Sequence, residues 1–191
     1  MKSASIYLFV GLGNPGSQYD MNRHNIGFMA LDAIANIWSF PAYKNKFSAK
    51  ISEGKIGSHK VILCKPQTYM NLSGRSVAET CNFYKIPPEN VFAFHDDLDL
   101  DTGKIKYKQG GGHGGHNGLK SLDQCIGKDY WRIRLGIGHP GIKEAVTGHV
   151  LGNFHKNDEE WLTDVLALVA KNAPHLLTDT QGEWMNRLNG G

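Results

Sequence analysis

IYLFVGLGNPGSQYDMNRHNIGFMALDAIANIW, residues 6–38, is the stretch from which the architecture is read. Ile6 to Val10 is a short continuous apolar run that reads as the first strand. A polar loop starts at Gly11, after which Phe28, Leu31, Ala35 and Trp38 recur at three- to four-residue spacing as one face of a helix. Strand, loop and amphipathic helix in that order open an α/β fold. Outward from there, Phe47, Ala49 and Ile51 alternate with Ser48, Lys50 and Ser52 as a half-buried strand, and after a Gly57-Ser58 turn Val61 to Cys64 forms its hairpin neighbour. A helix is expected from Ser73 to Tyr84, stopped by Pro87 and Pro88, with a strand from Val91 to Phe94 behind it. Two further strands carry one basic and one apolar face: Lys104, Lys106 and Lys108 alternate with Ile105 and Tyr107, and Arg132 and Arg134 with Ile133 and Leu135. The last third is helical, with Asn157 as N-cap before Trp161, Val165 and Leu168. The expected fold is a single-domain three-layer sandwich over residues 1–191, with helices around a central mixed β-sheet.

Composition narrows the class of protein. The chain has 191 residues with 40% hydrophobic content, which suits one globular domain. The apolar run at Ile6 is too short for a secretory signal and follows only Lys2 as a charge, and no stretch is long enough to span a membrane. Cys64, Cys81 and Cys125 are odd in number and each falls inside a strand or helix pattern, so they are expected to be reduced and buried and the protein to be cytoplasmic. Net charge is only +3, but its distribution is uneven: from Lys104 to Lys143 lie eight basic residues against Asp123 and Asp129.

Inside that basic stretch stands GGGHGGHNG, Gly110 to Gly118. No core can be packed from glycine and histidine, so the segment is present for its backbone: positive φ, close approach of N–H groups to a ligand, and a few directed groups from His113, His116 and Asn117. Of these, His113 is expected to be bonded within the loop.

Other junctions carry chemistry. Gly11-Leu12-Gly13-Asn14-Pro15-Gly16 matches the three spaced glycines of a dinucleotide-binding loop. Against that reading, the loop contains a proline and runs on through Ser17 to Asp20 before a helix, and Asp32 sits within the helix pattern instead of ending a second strand. His24 lies at the entry to the first helix, and His95-Asp96-Asp97 ends the strand from Val91. If the two strands are neighbours, Asp96 reaches His24, fixes its tautomer and makes it a positioned general base. A metal ion is the rival use of His24, His95, Asp96, His113 and His116, although a glycine-rich loop holds ligands loosely and no HExxH or paired CxxC spacing is present. No serine has a GxSxG setting. An RNA-binding protein without turnover would use the same basic faces.

Five segments together resemble one family, the bacterial-type peptidyl-tRNA hydrolases: VGLGNPGSQYDMNRHNIGF (Val10 to Phe28), KPQTYMNLSG (Lys65 to Gly74), HDDLDL (His95 to Leu100), KQGGGHGGHNGLKS (Lys108 to Ser121) and RIRLGIGHPG (Arg132 to Gly141). The resemblance covers essentially the whole domain. It implies a monomeric α/β sandwich without cofactor or metal, cleaving the ester between a peptide and the 3′-terminal ribose of tRNA and so recycling prematurely released peptidyl-tRNA. By the same resemblance His24 is the general base and Asp96 its carboxylate partner. Asn14, Asn71 and Asn117 belong to the substrate cleft, Asn14 discriminating a blocked from a free amine, and Met70 walls it. Tyr19, Tyr69, Asn71 and Asn117 touch the CCA end or the residues next to the ester, while Lys108 and Arg134 hold tRNA phosphate. Tyr69 departs from the phenylalanine of many relatives: the ring remains for stacking, but its hydroxyl needs a partner.

This chemistry is physically coherent. Water deprotonated as it attacks an activated ester needs no covalent nucleophile, and a histidine of ordinary pKa near ~6.5 is largely basic at neutral pH. Asparagine amides donate and accept while neutral, so they read peptide groups and meet a developing oxyanion. Phosphate contacts position an RNA without reading its sequence.

Overall fold

The computed structural model describes residues 5–178 and 180–188. Lys2 and the other outer parts of the expected 1–191 domain, residues 1–4, 179 and 189–191, lie outside the described residues. In chain order the elements are β1 (Ile6–Gly11), α1 (Ile26–Ile37), β2 (Lys44–Lys46), β3 (Ala49–Ile56), β4 (His59–Pro66), α2 (Ser73–Tyr84), β5 (Val91–Asp97), β6 (Ile105–Gln109), α3 (Asn117–Ile126), β7 (Trp131–Gly136), α4 (Val146–Val150), α5 (Glu159–Leu176) and α6 (Gln181–Leu188). They form one seven-stranded mixed sheet of order β2-β3-β4-β1-β5-β7-β6. β1 pairs in parallel with β4 and β5, and β5 with β7, while β3 is antiparallel to β2 and β4 and β6 is antiparallel to β7.

Period-two alternation divides the apolar side chains between two cores. Phe9, Phe92 and Phe94 face a cluster completed by α1, α5 and α6, whereas Leu8, Val10 and Ala93 face one completed by α2 and α3. The wholly buried Phe9 ring lies 5.4 Å from both Phe92 and Phe94. Removing it would cost about 3–5 kcal/mol through lost transfer energy and the cavity left behind. Close helix contacts rest on glycines: a Cβ on Gly27 would collide with the Phe94 carbonyl and the Leu12 backbone, so α1 can lie against the ends of β1 and β5 only without one. Gly74 and Ser121 perform the same service between α2 and α3, where the Gly74 N–H donates to Ser121 Oγ at 2.8 Å.

The expected three-layer arrangement is present, with local corrections. Phe47 and Ser48 are not strand residues: they form a two-residue turn between β2 and β3, with φ of 57° and 53°. β2 itself, Lys-Asn-Lys, has no apolar alternation to announce it. The strand expected to end at Phe94 continues to Asp97, so His95 and Asp96 are held in the sheet opposite Arg134 and Leu135 of β7. Asn157 is not the cap of α5: it lies in a 3₁₀ turn, Lys156–Asp158, that leads into the helix and is capped by His155 in a reciprocal box with Asp158. Cys64 and Cys81 are buried, with thiols pushed up to about 12 and about 11 chiefly by that burial, but Cys125 is exposed.

Candidate active site

The chain direction reverses about β1: the path leads from it to β4 on one side and then to β5 on the other, and at such a switch point the carboxyl ends of parallel strands leave a crevice. A cleft of about 920 Å³ lies there. Its lining takes His24 from the loop after β1, His95 to Asp99 from the end of β5, and Tyr69 to Asn71 from the segment before α2. The glycine loop from Gly112 to Asn117 and Lys108, Arg132 and Arg134 form another side, and Asn14 and the residues around α4, Val146, Thr147, Val150 and Leu151, also border it.

At the floor, Asp96 is 3% exposed and accepts from two imidazoles. His24 Nδ1 is 2.9 Å from both carboxylate oxygens, and His116 Nε2 is 2.8 Å from Oδ1. The tautomers follow from the other contacts. His116 is the N-cap of α3: its Nδ1 accepts from the Gly118 and Leu119 N–H groups at 3.1 and 3.3 Å, so its proton is on Nε2 and points at Asp96. His24 donates from Nδ1, which leaves the Nε2 lone pair as the base. Burial opposes the imidazolium of His24, but the charge and hydrogen bond of Asp96 outweigh it and raise the pKa above the ordinary 6.5. For Asp96, burial would raise the pKa, yet the two imidazoles hold it well below the usual carboxylate range.

His24, Asp96 and His116 place one ligand atom each within 4.8 Å, the geometry a cation would need. The hydrogen bonds argue against that use. A metal at His116 Nε2 would require the proton on Nδ1, opposite two backbone donors, and would undo the α3 cap, worth about 1 kcal/mol. His95 is set apart electrically: wholly buried, with Nδ1 donating to the Asp96 carbonyl at 2.8 Å, it is lowered to about 4, first by burial and then by repulsion from His116.

Asn14 is fixed from two sides. Asn25 accepts from the Asn14 N–H and donates to its carbonyl, both at 2.9 Å, while the Met70 N–H donates to Asn14 Oδ1 at 2.8 Å. The side-chain NH₂ is the Asn14 group left to meet a ligand. Met70 is 4% exposed, and its Sδ would lie 2.7 Å from a Cβ on Gly118, so the start of α3 can close on this wall only with glycine there. Asn71 and Asn117 are exposed on the lining, and Tyr69 is 64% exposed at its rim. Tyr19, by contrast, sits in a turn before His24 and is outside the lining residues.

The basic side chains of β6 and β7 have different partners. Lys108 and Arg134 both line the cleft, with the Arg134 guanidinium held by Nε donating to Asp97 Oδ2 at 2.7 Å. Arg132 also borders the cleft but is a buried anchor: it donates to the Gly110 and Gly111 carbonyls, to Asp123 and to the Tyr130 hydroxyl, which ties the start of the glycine loop to α3. His113 Nδ1 accepts from the Gly115 N–H at 3.0 Å, within the loop as expected. Sequence reasoning missed Asn25 and took His116 only as a directed group of the glycine loop or a rival metal ligand. The one legible signal for Asn25 was a polar N-cap residue; here its side chain does not cap α1 and reaches across to Asn14.

Comparison with known proteins places the chain in a family. The family model described as peptidyl-tRNA hydrolase matches residues 8–191. The chain is 57% identical to the peptidyl-tRNA hydrolase of Agrobacterium fabrum over 181 residues, 95% of this chain and 76% of that protein. It is 51% identical to the one from Rhodospirillum centenum, with 95% and 80% covered. The crystal structure of peptidyl-tRNA hydrolase from Acinetobacter baumannii superposes with a TM-score of 0.92 at 41% identity, covering 100% of this chain and 98% of that one. With a matched sequence along nearly its whole length and the same fold, the chain belongs to the peptidyl-tRNA hydrolase family.

Proposed function

We propose that the protein hydrolyses the ester joining a peptide, or an N-blocked aminoacyl group, to the 3′-terminal ribose of tRNA, with His24 as general base and Asp96 as its orienting carboxylate. The observation that carries this is the imidazole of His24, its Nδ1 proton fixed on a buried carboxylate, at the floor of a cleft walled by asparagines. Nε2 takes a proton from water as the water oxygen attacks the ester carbonyl. The tetrahedral intermediate then expels the ribose 3′-oxygen, which receives that proton, giving free tRNA and a peptide carboxyl group. One positioned base supplies a factor of about 10²–10⁴.

Neutral donors serve the remaining charge. The free NH₂ of Asn14 is placed to read a carbonyl of a blocked amino end, and Asn71 and Asn117 are the amides available to the developing oxyanion and the adjoining peptide or CCA groups. Met70 shapes the wall beside them, and Tyr69 offers its exposed ring to the terminal base. Lys108 and Arg134 hold acceptor phosphate, and Tyr19 touches the RNA from outside the cleft lining. No step calls for a cofactor or a metal. We further propose that residues 1–191 act as one domain and as a monomer in the cytoplasm, where peptidyl-tRNA arises; no helix among the described residues is long and apolar enough to cross a membrane.

The test is release of free tRNA from N-acetyl-aminoacyl-tRNA by purified protein with and without a chelator. Release that persists with chelator supports the reading. Loss on chelation would point to metal chemistry, and binding without release to an RNA-binding protein.

A further inference from the structure

The far end of the sheet carries a surface that the cleft does not use. Side chains alternate along β3, and paired residues share a face, so Lys46 opposite Ala49, Lys44 opposite Ile51, and Lys55 opposite Lys60 all stand on the α2 side. The only carboxylate among them, Glu53, is engaged by the Tyr84 hydroxyl and lies 3.7 Å from Lys60 Nζ. Beside these lysines is an aromatic cluster: Phe83 is 57% exposed, with the Phe47 ring 5.1 Å and the Tyr84 ring 4.9 Å from it. Lys46 Nζ stands 3.8 Å over the Phe83 ring.

The Phe47 backbone adds to this. Phe47 and Ser48 are consecutive non-glycine residues at positive φ in a tight turn where Asn-Gly is the unstrained choice. The left-handed conformation costs about 1–2 kcal/mol at a residue with a Cβ. Its return here is a phenylalanine ring delivered to the cluster. The turn is tied to the segment leading to the cleft rim: the Gln67 N–H donates to the Ser48 carbonyl at 2.8 Å, two residues before Tyr69.

We propose that this flank is a second RNA-contacting surface, gripping a phosphate backbone with its lysines and offering aromatic faces to bases. Four lysines to one occupied carboxylate, interleaved with rings, complement a polyanion that carries bases. The proposal goes beyond the ester reading and does not depend on turnover.

The experiment is fluorescence anisotropy with a short single-stranded RNA lacking a CCA end, titrated over a range of salt. Replacing Lys44 and Lys46 together by Gln should weaken binding about tenfold and reduce the slope of log affinity against log salt by about 1.4, at about 0.7 for each phosphate no longer neutralised. Phe83→Ala should weaken binding with little change in slope, since stacking is not a counterion effect. The pair K156Q/K171Q, away from this flank, should leave both quantities unchanged, and melting curves should show all variants folded. An unaltered affinity and slope in K44Q/K46Q would overturn the proposal, as would an equal loss in K156Q/K171Q.

Discussion

Replacing Asp96 by Asn tests the electrostatics of the site with little change in shape. In the native arrangement the carboxylate accepts from His24 Nδ1 at 2.9 Å and from His116 Nε2 at 2.8 Å. The interaction of an imidazolium with a carboxylate about 4 Å away is about 4 kcal/mol at an effective dielectric of about 20. Without it, burial acts alone on His24 and the pKa moves from above 6.5 to below it. The amide also alters the proton. His116 must keep its donor towards the introduced amide, because its Nδ1 is committed to the α3 backbone, so the amide oxygen stays there and the NH₂ is turned to His24 Nδ1. His24 then prefers its proton on Nε2, the atom required as base. The corresponding Asp→Asn change in a Ser-His-Asp triad costs about 10⁴ in kcat. We expect a loss of about 10²–10⁴ here, with the surviving activity showing its acid limb at lower pH. Single-turnover release of tRNA from N-acetyl-aminoacyl-tRNA across the pH range measures both quantities. A variant within about fivefold of wild type, on a scale where one positioned base is worth at least about 10², would refute the role of Asp96, as would an unmoved acid limb.

Three further outcomes follow from particular contacts. Asn25→Ala removes both bonds to the Asn14 backbone, so stability should fall by about 1–3 kcal/mol and turnover of blocked substrate should fall more than that of a free aminoacyl ester; equal effects on the two would contradict the positioning of Asn14. Lys108→Ala with Arg134→Ala should raise KM more than it lowers kcat, with a shallower salt dependence, and an unchanged slope would remove both from phosphate binding. His95 is held neutral at about 4, below its unfolded value near ~6.5, so its contribution to stability is present above pH ~6.5 and is lost as pH falls towards 4. Over that window the melting temperature of His95→Gln should fall less steeply than that of wild type, and parallel curves would refute the assignment.

The strand and helix signals that could be read locally were sound where burial decides them. Ile6 to Val10 is a central strand because both faces are covered, and Ser73 to Tyr84 is a helix because its apolar spacing and the prolines behind it agree. The failures have physical causes. β2 is three residues of Lys-Asn-Lys at a sheet edge, where no core face imposes alternation. Phe47 and Ser48 alternate as strand residues should, but their backbone is left-handed, which side-chain pattern does not encode. For the site, the junction rule that polar residues gather at strand ends brought His24 and Asp96 together correctly. It could not show that His116 would share the same carboxylate, because that depends on which nitrogen of His116 the α3 N-terminus occupies. Arg132 and Arg134 look equivalent in sequence and both border the cleft, but Arg132 is buried against Asp123 of α3 while Arg134 pairs with Asp97 and stays partly open.

The most direct test of the account is the rate of ester cleavage by His24→Ala set beside its affinity for the same N-blocked aminoacyl-tRNA. The account predicts turnover lower by at least about 10², with binding near that of wild type. Near-normal turnover in that variant would contradict it.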